Sequence, residues 1–325
     1  MDPGALDQAE KFVATEGKEL HSLLIVRNGH LVSETYWPPY ERTQKHILNS
    51  CTKTVVSALV GIATDDGLLR KDDKVLGYFP ELAPANRDDA KEAITIKHLL
   101  TMSSGISWPQ YGPDNVSDKM GKSPDWVKFI LDRPIAAAPG TVTNYSNGDS
   151  HLLSAIIGKV TRSTALDFGR ERLFDPLGVS DIRWDSDLQG RSIGSAALYM
   201  KPIDMTKLGR LYLASGVWNG QRILSADWVK KFLYRSNADA DQGWRGRLWL
   251  LLVAVPRAQA LRGVGRSRTA HRRLPRARLG SRDDRSHRRR LPTIAVRGEN
   301  IRLRAAGDQL RNAHACQDGN LKSGP

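Results

Sequence analysis

Residues 49–67, NSCTKTVVSALVGIATDDG, decide how this chain is read. From Val55 onward the apolar residues Val55, Val56, Leu59, Val60, Ile62 and Ala63 recur at helical spacing, and Gly67 stands where a left-handed C-terminal cap belongs. The spacing predicts a buried helix. Residues three apart share a helix face, so Ser50 and Lys53 lie side by side on its first turn, with an ammonium at the mouth of an apolar element. A serine hydroxyl is a weak nucleophile that needs a neighbouring base, and a lysine serves when desolvation or positive surroundings leave part of it neutral. The positive end of the helix favours both effects, and the Ser50 N–H is placed to help hold an oxyanion. The same letters also fit an N-cap serine beside a lysine that snorkels to solvent, the commoner meaning of an isolated match.

Working outward, residues 143–149, TNYSNGD, place Tyr145 and Asn147 in a loop that begins at Pro139-Gly140 and leads into a helix. A phenol beside an ammonium can exist partly as phenolate and relay protons, and an amide two residues on can orient both Lys53 and a substrate carbonyl. An Asn-Gly turn with a packed tyrosine is the alternative reading. Before the Ser50 helix, two β-rich runs flank Asn28-Gly29, the dipeptide of type I′ hairpins. The N-terminal pattern reads as an amphipathic helix with Leu6, Ala9, Phe12 and Val13 inward and Gly17 ending it. Helical patterns dominate residues 123–175 and return as a pair between about 201 and 236.

Composition narrows the function classes. The chain has 325 residues and a net charge of +14, but residues 245–325 alone hold 19 Arg and 1 Lys against 5 acidic residues, leaving the rest near neutral. After about Gly243 neither helical nor strand period survives, and residues 263–292 are dominated by arginine. A basic arm and a segment read in a shifted frame of a GC-rich gene both fit; the near-absence of lysine favours the second. The run lacks interleaved aromatics, so nonspecific, salt-sensitive stickiness is expected rather than specific nucleic-acid binding. The longest apolar run, LWLLLVAV at 248–255, is far below the roughly 20 residues that span a bilayer. With no signal peptide visible, a soluble cytoplasmic protein is expected, although a form whose leader has been removed reads the same. Cys51 and Cys316 suggest no disulfide framework, the eight histidines show no metal-ligand spacing, and no cofactor is implied. Gly190-Arg191-Ser192-Ile193-Gly194 matches the letters of a nucleophile elbow, but WDSDLQ before it is no buried strand. Trp108, Tyr111 and Trp126 fit either a pocket wall or the core.

The stretches at 49–69, 94–108 (ITIKHLLTMSSGISW), 139–161 and 198–229, in this order, resemble the serine β-lactamase and penicillin-binding-protein superfamily. Among its members the chain is similar to the class C-like esterases and the 6-aminohexanoate-dimer hydrolase group, from about residue 20 to 243. The resemblance implies an α/β (α+β) fold, with an antiparallel sheet flanked by helices plus a helical region. Expected divisions are 1–74 with the hairpin and the Ser50 helix, 75–185 mainly helical with the Tyr145 loop, 186–243 returning to the α/β part, and the 245–325 tail irregular. It also implies Ser50 as acylated nucleophile, Lys53 as its base, Tyr145 as the group that protonates the leaving group, and Asn147 as ligand of substrate and Lys53. The substrate would be a small ester or amide, with a silent relative or damaged gene product as the alternative. A third family motif, a Lys or His followed by a small residue and Gly on an edge strand, has no convincing counterpart. Lys322-Ser323-Gly324 fits its letters one residue from the end, without the apolar strand before it.

Overall fold

The computed structural model describes residues 3–16, 20–111, 114–231 and 295–296. The first part of the chain holds α1 (Pro3–Glu16), β1 (Ser22–Arg27), β2 (His30–Tyr36), β3 (His46–Ile47) and α2 (Thr52–Asp65). A middle stretch follows with α3 (Asp89–Glu92), α4 (Ile96–Leu100), α5 (Val116–Gly121), α6 (Trp126–Leu131), α7 (Asn147–Thr161) and α8 (Ala165–Gly169). After it come β4 (Arg183–Trp184), β5 (Leu198–Met200), α9 (Pro202–Leu213), β6 (Val217–Trp218), β7 (Gln221–Arg222) and, in the basic tail, β8 (Ala295–Val296). Among the described residues no helix is long and apolar enough to cross a membrane.

The α2 helix is the axis of the core. Val55, Val56, Leu59, Val60, Ile62 and Ala63 are all buried, and α2 packs on α7, whose Leu152, Leu153, Ile156 and Ile157 are also buried. Each such aliphatic side chain contributes up to about 2 kcal/mol of transfer free energy. The helix ends where its sequence says it should. Gly67 has φ +72°, its N–H donates to the Thr64 carbonyl, and the Leu68 N–H reaches back to the Ala63 carbonyl, which is a Schellman closure.

The hairpin is present as expected. Asn28 and Gly29 have φ of +50° and +81°, Arg27 pairs His30, and β1 runs antiparallel to β2. A second antiparallel sheet, in the order β3-β5-β4, joins residues 46–47 to 183–200 and thereby ties the segment before Ser50 to the far side of the helical stretch. The β8 pair is parallel to β1 at Ile25 and Val26, so residues 295–296 of the tail are strand where irregular structure was expected. β1, whose Leu23, Leu24 and Val26 are buried, is thus the middle strand of its sheet, between β2 and β8. Phe12 of α1 differs from expectation and is 54% exposed. Glu10 of the same helix accepts from the hydroxyls of Ser33 (2.6 Å) and Thr35 (3.0 Å) on β2. The Lys322-Gly324 triplet lies outside the described residues.

Candidate active site

Ser50 sits in a 3₁₀ turn, Asn49–Cys51, immediately before α2. Asn49 adopts φ +45°, a left-handed conformation that asparagine tolerates, and swings the chain from β3 into the turn. The α2 N-cap is Cys51 and makes no side-chain capping bond, so the N-cap reading of Ser50 does not hold. Nor does Lys53 snorkel, since it is 0% exposed. Its Nζ lies 2.9 Å from Asn147 Oδ1, 2.9 Å from the Ser195 carbonyl oxygen and 3.3 Å from Ser50 Oγ. Ser50 Oγ is in turn 2.6 Å from the Tyr145 hydroxyl. The four residues singled out in the sequence therefore meet at one point, although 94 residues separate Lys53 from Asn147.

Burial drives the electrostatics. It pulls the Lys53 ammonium down to about 7, with the Cys51 thiol across the turn opposing the shift. The Cys51 thiol itself is pushed up to about 12 by the same burial. Burial also raises Tyr145 well above an ordinary tyrosine, while the Ser50 hydroxyl bonded to it pulls the other way. Tyr145 is therefore a neutral phenol at ordinary pH, which corrects the expectation that it exists partly as phenolate. A neutral Lys53 amine has two hydrogens and one lone pair. The two 2.9 Å acceptors take the hydrogens, and the lone pair is left facing Ser50 Oγ.

The Tyr145 loop is held from several sides. Ser146 caps α7 by accepting from the Asp149 N–H at 3.0 Å, and the buried Asp149 carboxylate accepts from the Ser104 hydroxyl at 2.9 Å. Asn147 is oriented by Ser117, whose Oγ accepts from its Nδ2 at 3.0 Å, so that Oδ1 must face Lys53. Gln110 Oε1 gathers the Asn147 N–H (3.2 Å), the Ser117 hydroxyl (3.1 Å) and the Trp108 indole N–H (2.8 Å). Sequence reasoning missed Ser195, Gln110 and Ser117. The first acts through its main-chain oxygen, and nothing in the local spelling marks the other two.

Of the aromatics left open, Trp108 is core at 2% exposed. Tyr111 stands 64% exposed and stacks on Tyr145 with ring centroids 6.2 Å apart, so it lines the approach to the site. Trp126 packs, tilted, on the buried ring of His151 at 5.1 Å. Ser192 of the GRSIG stretch is no nucleophile elbow. It is buried, bridges Ser186 across a small loop, and accepts the Leu166 N–H on its hydroxyl.

The chain is 28% identical over 192 residues to the lovastatin esterase of Penicillium rubens, covering 52% of this chain and 46% of that protein. It is 22% identical over 239 residues to the 6-aminohexanoate-dimer hydrolase of Paenarthrobacter ureafaciens, covering 69% and 60% respectively. The chain thus spans about half to three fifths of the length of these relatives. In fold it resembles the penicillin-binding protein homologue from Pyrococcus abyssi, with a TM-score of 0.55, 22% identity and coverage of 71% of this chain and 60% of that one. The family model described as Beta-lactamase matches residues 10–259, most of the chain, and the chain belongs to the beta-lactamase family.

Proposed function

We propose that this chain is a serine hydrolase that transfers an acyl group from a small ester or amide to water. Lys53 takes the Ser50 proton as Oγ attacks the substrate carbonyl, and a Ser50 acyl ester forms as the C–O or C–N bond to the leaving group breaks. Tyr145, 2.6 Å from Oγ, passes its proton to the departing alcohol or amine, and the proton that Lys53 took from Ser50 replaces it on Tyr145, so both groups are restored. Water then repeats the sequence on the acyl ester and frees Ser50. The Asn147 amide has a second N–H beyond the one given to Ser117, and this N–H is available to the substrate carbonyl. The observation that carries the reading is the geometry of Lys53, whose Nζ has the Asn147 Oδ1 and Ser195 carbonyl acceptors at 2.9 Å and lies 3.3 Å from Ser50 Oγ. The esterase and amide-hydrolase names of the relatives agree with a small ester or amide as substrate.

The test is an intact-mass spectrum of the 325-residue chain after incubation with a fluorophosphonate, followed by peptide mapping. One adduct on Ser50, absent in Ser50→Ala, is expected. A folded chain that takes no adduct would place it instead among catalytically silent relatives.

A further inference from the structure

The two acceptors that hold Lys53 come from different parts of the chain. Asn147 opens α7, whereas Ser195 lies in the loop between β4 and β5. That loop is fastened to α7 one turn beyond Asn147. The Gly194 N–H, adjacent to Ser195, donates to His151 Nδ1 at 3.4 Å, and His151 Nε2 donates to Asp187 Oδ2 at 3.2 Å. The side chains of His151 and Asp187 are both 0% exposed. Asp187 Oδ1 closes the loop on itself by accepting the Gln189 and Arg191 N–H groups, each at 2.9 Å. Arg191 then anchors the assembly to Asp125, the N-cap of α6, at 2.9 Å. The approach is as close as backbone allows, because a Cβ on Gly194 would stand 2.1 Å from the Ser150 carbonyl oxygen. Residues four apart share a helix face, so one face of α7 sets both acceptors, Asn147 directly and Ser195 through His151.

We propose that His151 is a positioning residue: its Nδ1 holds the Gly194 amide and thereby sets the Ser195 carbonyl on the Lys53 amine, which aims the amine lone pair at Ser50. The proposal deepens the hydrolase reading and rests on Lys53 acting as the base. The bonds require the imidazole to carry its proton on Nε2, toward Asp187, with Nδ1 as acceptor. The titratable and charged groups facing this arrangement are Asp187 and, beyond it, Arg191 around His151, with Cys51 and Tyr145 around Lys53.

Losing the carbonyl contact has two effects that a merely structural residue would not produce together. The ammonium loses an acceptor, so Lys53 titrates at lower pH, and the amine loses its aim, so acylation slows at pH values where it is already neutral. Two variants separate the roles of the two ring nitrogens. In His151→Gln an amide nitrogen can still reach Asp187 while the Nδ1 acceptor is gone. In His151→Asn an oxygen stands near the Nδ1 position and can still accept from Gly194.

The experiment follows the titration of Lys53 by NMR in the full chain with isotope-labelled lysine, assigned with Lys53→Arg, alongside fluorophosphonate labelling of Ser50 against pH. For His151→Gln a fall in the Lys53 midpoint of about one pH unit and about tenfold slower plateau labelling are expected. His151→Asn is expected to restore the wild-type midpoint. Curves for His151→Gln that superimpose on wild type would overturn the proposal. So would ¹⁵N shifts of the wild-type His151 ring showing the proton on Nδ1, a readout that needs no variant to fold. Wild-type chain that never labels at Ser50 would remove the hydrolase reading, while the Lys53 titration would still decide the role of His151.

Discussion

Lys53 shows how little the identity of a buried residue says until its partners are counted. Lys91 is equally buried at 0% exposed, and burial lowers its ammonium too, yet its Nζ meets the main-chain oxygens of Ala85 (2.6 Å) and Leu131 (2.7 Å). That lysine ties α3 to the end of α6. Lys53 differs by having a serine hydroxyl as its third neighbour. The sign of its shift gives a pH prediction. A lysine at 10.5 would be neutral in roughly one molecule in a few thousand at pH 7, whereas burial brings Lys53 to about 7 and leaves about half of it neutral there. The rate of Ser50 labelling should therefore rise through about pH 7 and level off above it, with no further rise toward 10. Initial rates with a fluorophosphonate between pH 5 and 9 measure this, and a profile still climbing at pH 9 would show that another group is the base.

At the scale of elements, α2 and the hairpin were legible because helical periodicity, an Asn-Gly turn and a terminal glycine are local signals. The Gly67 closure can be tested in isolation. A Cβ there would meet nothing within 4 Å, so Gly67→Ala should cost only the strain of a left-handed alanine, about 1 kcal/mol. The expected outcome is a lower urea midpoint with an unchanged slope and unchanged Ser50 labelling at pH 8. Ser50, Lys53, Tyr145 and Asn147 were legible for the same reason, as two short motifs with chemistry in their spelling. The Ser195 carbonyl was not, because any residue supplies a main-chain oxygen and only the β3-β5-β4 sheet and the fastening of its loop to α7 bring this one to Lys53. Phe12 was misplaced for a related reason. Amphipathic spacing assigns Phe12 to an inner face, whereas it stands 54% exposed and the neighbouring Glu10 takes bonds from Ser33 and Thr35 of β2.

Across the whole molecule, the site leaves a mark on stability through two buried groups with opposite charge. Burial lowers Lys53 to about 7, so between 7 and its unfolded value near 10.5 the unfolded chain binds more protons and stability rises with pH. Asp149 works the other way. Burial raises its carboxyl from 3.8 to about 7 against the Ser104 and Ser146 hydroxyls that favour the ion, so in that interval the folded chain binds more protons and stability falls as pH rises. Together the two groups press the fold hardest near pH 7. Exposed ion pairs such as Arg87–Glu92 contribute little to this balance, whereas burial lowers His46 and His98 and gives a slope opposed to that of Asp149. The difference between Asp149→Asn and wild type isolates the carboxyl. Asparagine keeps an oxygen for the Ser104 hydroxyl and never ionises, so the variant should match wild type near pH 4. It should gain on wild type through the interval up to 7 and hold a constant advantage of a few kcal/mol above it. Urea denaturation of both proteins at pH 4, 6 and 8 measures the three regions. A difference that does not change with pH would mean that Asp149 is ionised throughout, held by its hydroxyl partners despite its burial.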